Sequence, residues 1–186
     1  RRCSASHGGL LCPGYHAPRC LSCGRSSPSG LAAPLSSRGV SLARLIRVFK
    51  KLKSEKKLNS DLVIVGKKDK KYPKGYESLK SLKTGEGIHY LPSIESRKEL
   101  ALLYASAKCL IHPSLYEGFG LTCLESMAIG TPVILSKAAS LPEVAGEAGY
   151  YIDPYSEESI RLGMIKLEGN DTLRRDLSER GRLRAR

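Results

Sequence analysis

The sequence predicts an α/β fold, an open parallel sheet with helices on both faces. Two observations carry this. Short apolar runs rich in β-branched residues, such as 61-DLVIVG-66, read as parallel strands buried on both sides. These runs alternate with segments of helical period across short links, the pattern of strand and crossover helix.

The elements follow in order from about residue 41. Leu42, Leu45, Ile46, Phe49 and Leu52 fall at helical spacing with Arg and Lys between them, an amphipathic helix. The strand 61–66 comes next, then a helix over 72–83 after Pro73, then a strand in 87-GIHYL-91. Glu95 to Ala107 reads as a helix with Leu100, Leu103 and Tyr104 apolar, and Cys109-Leu110-Ile111 as a strand. A helix over Leu121–Ile129 is stopped by Gly130. Pro132–Leu135 is a strand, Leu141–Val144 a short helix and Tyr150–Ile152 a strand. Helices over about 156–168 and 171–184 complete the chain.

With 186 residues and 41% hydrophobic content, the chain can build one real core. No apolar run approaches the ~20 residues of a membrane helix. The formal net charge of +13 favours phosphate-rich partners, or else solvated basic faces. No aromatic RNP-like strand or zinc-finger spacing accompanies it, which argues against a nucleic-acid partner.

Residues 1–38 differ in character. They hold four of the six cysteines, many Ser, Gly and Pro, and no acid; the first acid is Glu55. The expectation is a disordered or foreign leader that cannot bury enough apolar surface to order itself. A zinc site among Cys3, His7, Cys12, His16, Cys20 and Cys23, and an organelle transit peptide, are the competing readings. Cys109 and Cys123 sit in apolar contexts and read as small core residues.

The chemistry concentrates in 112-HPSLYEGFGLTCLESMAIGTPVIL-135. Gly118-Phe119-Gly120 precedes a helix, so free N–H groups from about Gly120 to Cys123 face an anion, phosphate above all. Glu117 stands before that cradle, where a phosphate repels it and neutral hydroxyls attract it. Glu125 lies a turn inside the helix, placed to accept from a ribose diol. The helix is apolar enough to be largely buried, and a buried helix seldom keeps an unpaired Glu. Two acids flanking an anion cradle point to a nucleotide-sugar. The plainer alternative is a loop acid, an exposed helix acid and turn-forming glycines.

The run PSLYEGFGLTCLESMAIGTPVILS, followed by LPEV and YYIDP, resembles the C-terminal domain of retaining GT-B glycosyltransferases of group 1/family 4. The resemblance covers about Leu42 to Arg186, and the motif of two glutamates with seven residues between matches at Glu117 and Glu125. It implies a Rossmann-like C-terminal half of a GT-B fold over 39–186, truncated at both ends. It implies a nucleotide-diphospho-sugar donor, transfer with retention of configuration, no cofactor and no metal. Glu117 would be the catalytic residue, touching sugar hydroxyls near the reacting carbon. Backbone groups of Gly118, Phe119, Gly120, Leu121 and Thr122 would hold sugar oxygens and the diphosphate, and Glu125 the ribose. Ser93 and Ile94 would edge the nucleobase, and Gly66 would line the cleft. The acceptor is open: glycan, lipid-linked or small molecule. A cytoplasmic setting, with peripheral membrane association as an option, is expected.

The sequence also departs from that family. The loop before the first helix should carry an Arg and a Lys, but those positions fall near Leu35 and Val40, and Arg38 is out of register. The first strand and the diphosphate clamp are therefore expected to have been replaced by the leader. The acceptor-binding N-terminal domain that the resemblance implies is likewise expected to lie outside this chain. The expectation is weak or absent activity for this chain alone, with a non-catalytic donor-binding module or fragment as the alternative. A glycosidase using Glu117 and Glu125 is disfavoured because the loop between them suits an anion. The lysines between Lys67 and Lys74 are either an anion-attracting cluster or a solvated loop. His112 either reaches the donor or is a satisfied structural histidine. Glu143 carries no assigned chemistry, and Asp153-Pro154 reads as a turn.

Overall fold

The computed structural model describes residues 30–34, 41–66 and 87–186. Six parallel strands form one sheet in the order β3-β2-β1-β4-β5-β6. The strands are β1 (Leu31–Pro34), β2 (Leu62–Val65), β3 (Ile88–Leu91), β4 (Cys109–His112), β5 (Val133–Ser136) and β6 (Gly149–Ile152). The helices are α1 (Ser41–Ser54), α2 (Arg97–Ser106), α3 (Leu121–Ile129), α4 (Leu141–Ala145), α5 (Glu157–Glu168) and α6 (Asp171–Arg184). The expected open parallel sheet is therefore present, and most boundaries agree within two residues. The helix expected over 72–83 lies outside the described residues.

One boundary is corrected. The leader was expected to run to residue 38, yet Leu31–Pro34 is the central strand of the sheet. Leu31 pairs with both Leu62 of β2 and Cys109 of β4. Leu31, Ala32 and Ala33 are buried. The segment LAAP carries little strand propensity of its own and sits among Gly, Ser and Pro. Its conformation comes from two flanking strands rather than from local preference, which is why periodicity misses it. Leu31 donates its N–H to the carbonyl of Asp61, and Lys108 donates to the carbonyl of Gly30 at 2.9 Å. A first strand is thus present in the sheet. Residues 1–29, with the proposed zinc ligands, lie outside the described residues.

The strands alternate their side chains between two cores, as the period of two requires. Leu31, Ala33, Cys109, Ile111 and Ile134 join Leu45, Phe49 and Leu52 of α1 and Ile160, Met164 and Leu167 of α5 on one face. Ala32, Leu110, Val133 and Leu135 join Tyr104 of α2, Cys123 and Met127 of α3, and Leu141 of α4 on the other. Full burial of each Leu or Phe contributes about 1.5–3 kcal/mol. Cys109 and Cys123 are free, buried members of these cores, and burial pushes both thiols up to about 12.

Capping side chains fix the helix starts. Ser96, Ser156 and Asn170 accept from the N–H groups of Glu99, Ser159 and Leu173 at 3.3, 3.1 and 2.9 Å. Gly130 stops α3 at φ 94°, with its N–H on Met127 and the N–H of Thr131 on Ser126. Asp153 accepts from the N–H of Tyr155 at 2.8 Å, forming the expected turn. Arg184 donates to the carbonyls of Val144 and Glu143, giving this part of α4 a structural contact with α6. Among the described residues, no helix is long and apolar enough to cross a membrane.

Glu168 ties the amino end of the sheet together. Its carboxylate accepts from Lys108 Nζ at 2.9 Å, Ser60 Oγ at 2.7 Å, and the N–H groups of Asn59 and Ser60 at 3.2 and 3.3 Å. Burial alone would raise its pKa, but the bonds from Lys108 and Ser60 outweigh this and hold it below the ordinary value. A lowered carboxylate pKa contributes stability that is present above the unfolded value of ~4.3 and is lost as pH falls through the folded one. Glu168→Gln should lower stability at pH 7 by about 1–3 kcal/mol, and should flatten the fall in stability below pH ~4.3. Urea midpoints measured across that range check both effects.

The two loop glycines should respond differently to alanine. Gly120 has φ 82°, and an added Cβ would lie 2.9 Å from Leu141 Cδ2, whereas one at Gly118 meets nothing within 4 Å. Gly120→Ala should cost about 1–2 kcal/mol in a thermal unfolding comparison. Gly118→Ala should stay within about 0.5 kcal/mol.

Candidate functional site: a cleft at the strand carboxyl ends

Strand order reverses at β1, since β2 and β3 lie to one side and β4 to β6 to the other. In an open α/β sheet such a switch point leaves a crevice outside the carboxyl ends, because the connections diverge there to opposite faces. The described cleft lies there, with a volume of about 280 Å³. That is just under the roughly 300–1,000 Å³ usual for small-molecule sites. Its floor is Ala32, Ala33 and Pro34 of β1 and Leu110 of β4. Small side chains on the central strand leave this room.

Five of the residues singled out in the sequence meet in the cleft: Gly66, Ser93, Ile94, Thr122 and Glu125. Each arrives from a different constraint. Gly66 follows β2, and Tyr90 donates its hydroxyl to the Gly66 carbonyl at 2.9 Å, pinning that rim. Ser93 and Ile94 follow β3, and Thr122 and Glu125 lie on successive turns of α3. Tyr104 of α2 also lines the cleft, a residue read from the sequence only as part of an apolar helix face. Burial first, and then the negative charge of Glu125, push the Tyr104 phenol well above its ordinary pKa.

The expectation of a largely buried helix around Glu125 is corrected. Cys123, Ser126 and Met127 are buried, whereas Leu121, Glu125 and Ala128 are exposed. Apolar composition is misleading here, since Leu121 is 62% exposed at the loop rim. Glu125 is thus placed on a ligand-accessible face, with no need of a buried partner.

Glu117, Gly118, Phe119, Gly120 and Leu121 do not line the cleft. They form the loop between β4 and α3 that leads to Thr122 and Glu125. Gly118, Phe119 and Leu121 are exposed, Gly120 is buried, and Glu117 is a quarter exposed. Three serines brace this loop. Ser136 donates to the Ser114 carbonyl, Ser114 to the Tyr116 carbonyl at 3.0 Å, and Ser140 to the Glu117 carbonyl at 3.5 Å. At the start of α3 the N–H of Cys123 is already used by the Gly120 carbonyl at 2.9 Å. This corrects the expected donor set, which ran to Cys123. The N–H groups of Leu121 and Thr122 have no backbone acceptor among the described residues.

His112 makes a contact that sequence reasoning did not find. Its Nε2 lies 2.9 Å from Glu117 Oε1, and the ring is only 3% exposed. The available signal was a single polar residue closing an otherwise apolar strand, CLIH, just before a loop acid. The positions raised for the basic clamp, Leu35, Arg38 and Val40, lie outside the described residues, as do Lys67 to Lys74. Among the described residues, no three His, Cys, Asp or Glu side chains are grouped to hold a metal.

Comparison with known proteins places this geometry. The family model described as glycosyl transferases group 1 matches residues 38–184. The chain is 40% identical over 104 residues to O-antigen chain mannosyltransferase B of Escherichia coli, covering 55% of this chain and 27% of that protein. It is 41% identical over 93 residues to MMP alpha-(1->4)-mannosyltransferase of Mycolicibacterium hassiacum, covering 48% and 23%. The chain thus spans about a quarter of the length of these relatives. Among solved structures, it resembles WaaG, a glycosyltransferase involved in lipopolysaccharide biosynthesis, with a TM-score of 0.68 and 24% identity over 86% of this chain and 43% of that one. It also resembles the sucrose-phosphate synthase of Thermosynechococcus elongatus, with a TM-score of 0.69 and 23% identity over 84% and 40%. These structural likenesses show the fold. The match across residues 38–184, on a six-stranded parallel sheet with its cleft at the switch point, shows that the chain belongs to the group 1 glycosyl transferases and carries the Rossmann-like C-terminal domain of the GT-B fold.

Proposed function

We propose that the cleft binds a nucleotide-diphospho-sugar, and that the protein transfers the sugar to an acceptor with retention of configuration. The observation that carries this reading is the convergence of Gly66, Ser93, Ile94, Thr122 and Glu125 at the switch point, beside a loop that ends in helix-start N–H groups without a backbone acceptor among the described residues. In this reading the nucleobase lies against Ser93 and Ile94, and the ribose diol donates to Glu125. The diphosphate lies over the start of α3, where Leu121 and Thr122 offer N–H groups and the helix dipole favours negative charge. Gly118 and Gly120 let Phe119 and its neighbours approach the ligand closely. Glu117 faces the sugar hydroxyls near the reacting carbon.

Transfer on one face of the sugar requires the departing diphosphate to be stabilised as its charge grows. Backbone N–H groups and cationic side chains supply this in the present reading, without a metal or other cofactor. The acceptor belongs to a second unit, on the same polypeptide or another, because this chain spans about a quarter of its curated relatives. Glycans, lipid-linked glycans and small molecules all fit a group 1 acceptor. The mannosyltransferase relatives favour a hexose as the sugar, and a cytoplasmic setting belongs to the same proposal. The second reading is a non-catalytic donor-binding module, favoured by the same short span. It predicts the same nucleotide binding with no turnover when acceptor domains are supplied.

Calorimetric titration of the chain with UDP and GDP tests the site. One of them should bind, and Glu125→Ala should weaken it about tenfold or more, as expected for loss of a charged hydrogen-bond partner. Absence of binding by both nucleotides, or an unchanged affinity in Glu125→Ala, would show the site to be wrong.

A further inference from the structure

We propose that His112 is a positioning residue, whose Nε2–H holds the Glu117 carboxylate in the orientation that meets the transferred sugar. The inference rests on the reading of Glu117 as the sugar-side acid.

The geometry begins with two very different supports. His112 ends β4, and its register opposite Leu135 of β5 fixes its backbone within the sheet. Glu117 stands five residues further on, in a loop with no regular structure and with its side chain a quarter exposed. A glutamate side chain has three rotatable bonds, so a contact from a rigid group narrows the orientations its carboxylate takes. The three serines described above donate to main-chain carbonyls of this loop. His112 reaches the carboxylate itself, at 2.9 Å, from a position that is 97% buried by the complement of its 3% exposure. A hydrogen bond to a charged acceptor from a rigid donor is stronger and more directional than one between neutral groups.

The other ring nitrogen explains why this is more than packing. In neutral imidazole one nitrogen carries hydrogen and the other is bare. With Glu117 as acceptor, Nε2 carries the hydrogen and Nδ1 is bare. Nδ1 is buried and has no hydrogen-bond partner among the described residues. A buried polar atom without a partner costs stability, and an apolar side chain such as the preceding Ile111 would avoid that cost. The ring therefore accepts a penalty at one nitrogen while placing the other on Glu117. A core-filling role accounts for neither feature, and a positioning role accounts for both.

The consequence is specific to the sugar. A preoriented Glu117 lowers the ordering cost of binding a hexose and leaves the nucleotide contacts alone. Calorimetry on the full chain separates these, using UDP against UDP-glucose and GDP against GDP-mannose. The wild type should bind one sugar conjugate more tightly than its bare diphosphate. His112→Leu, which removes the donor, should weaken that conjugate about tenfold while the diphosphate changes less than about twofold. His112→Gln, whose amide N–H extends as far as Nε2, should keep most of the preference. His112→Asn, one bond shorter, should lose it as Leu does, and this polar pair decides the matter should the Leu variant unfold. Glu117→Ala combined with His112→Leu should be no weaker than the worse single variant, since each removes the contact between the two residues.

The proposal is overturned if the sugar preference survives in His112→Leu or His112→Asn. It is equally overturned if Gln fails where the wild type succeeds with melting temperature unchanged, or if both ligands weaken together. Those results would leave the nucleotide-sugar reading standing. A wild type that binds neither diphosphate nor conjugate overturns that reading and this inference with it.

Discussion

Pairing of Leu31–Pro34 between β2 and β4 is the constraint on which the rest of the molecule depends. A parallel strand in mid-sheet must bury both faces and satisfy its backbone on both edges, because neither face nor edge meets water. Leu31 and Ala33 enter one core and Ala32 the other. With β1 in place, strand order must reverse there, and the reversal opens the cleft at its carboxyl end. Its small side chains then become the floor of that cleft, so the strand that unites the two halves of the sheet also makes room for a ligand.

From this floor outward, rigidity falls and exposure rises. β4 and β5 are buried throughout. The loop after β4 is held through its carbonyls by serines on its own chain and on β5 and its sequel, and through its acid by a buried histidine. The exposed Phe119 and Leu121 lie beyond. Preorganising a site from its buried side costs less ordering on binding than tightening it from the solvent side. The opposite, amino end of the sheet is given to stability. There Glu168 gathers the starts of β2 and β4 through Ser60 and Lys108.

Much of this was legible in the sequence, for reasons that differ by element. α1 was readable because Leu42, Leu45, Ile46, Phe49 and Leu52 repeat at helical spacing, and all five are buried. α3 was readable because Gly120 and Gly130 bracket it, and both have positive φ. β1 was not readable, since two alanines and a proline carry no period and take their conformation from neighbours distant in sequence. The exposure of Glu125 was misread because an apolar helix was equated with a buried one, although a cleft also exposes apolar side chains. Thr122 and Glu125 were placed at the site by their positions at the start of α3, whereas Gly66, Ser93 and Ile94 followed from family resemblance rather than from spacing. The bond from His112 to Glu117 was missed because no periodic rule relates residues five apart across a loop, and a lone polar residue closing an apolar strand was the one signal of it.

The central claim is that the start of α3, at the end of the loop beneath the switch point, receives a diphosphate. Backbone amide resonances of the nitrogen-labelled chain, followed during titration with pyrophosphate and then with UDP and GDP, test it most directly. The account predicts that Gly120, Leu121 and Thr122 shift with pyrophosphate. Glu125 and the Ser93–Ile94 segment should join them only when a nucleoside is attached. Shifts confined to the amino end of the sheet, or a pyrophosphate response that leaves those three amides unmoved, would contradict it.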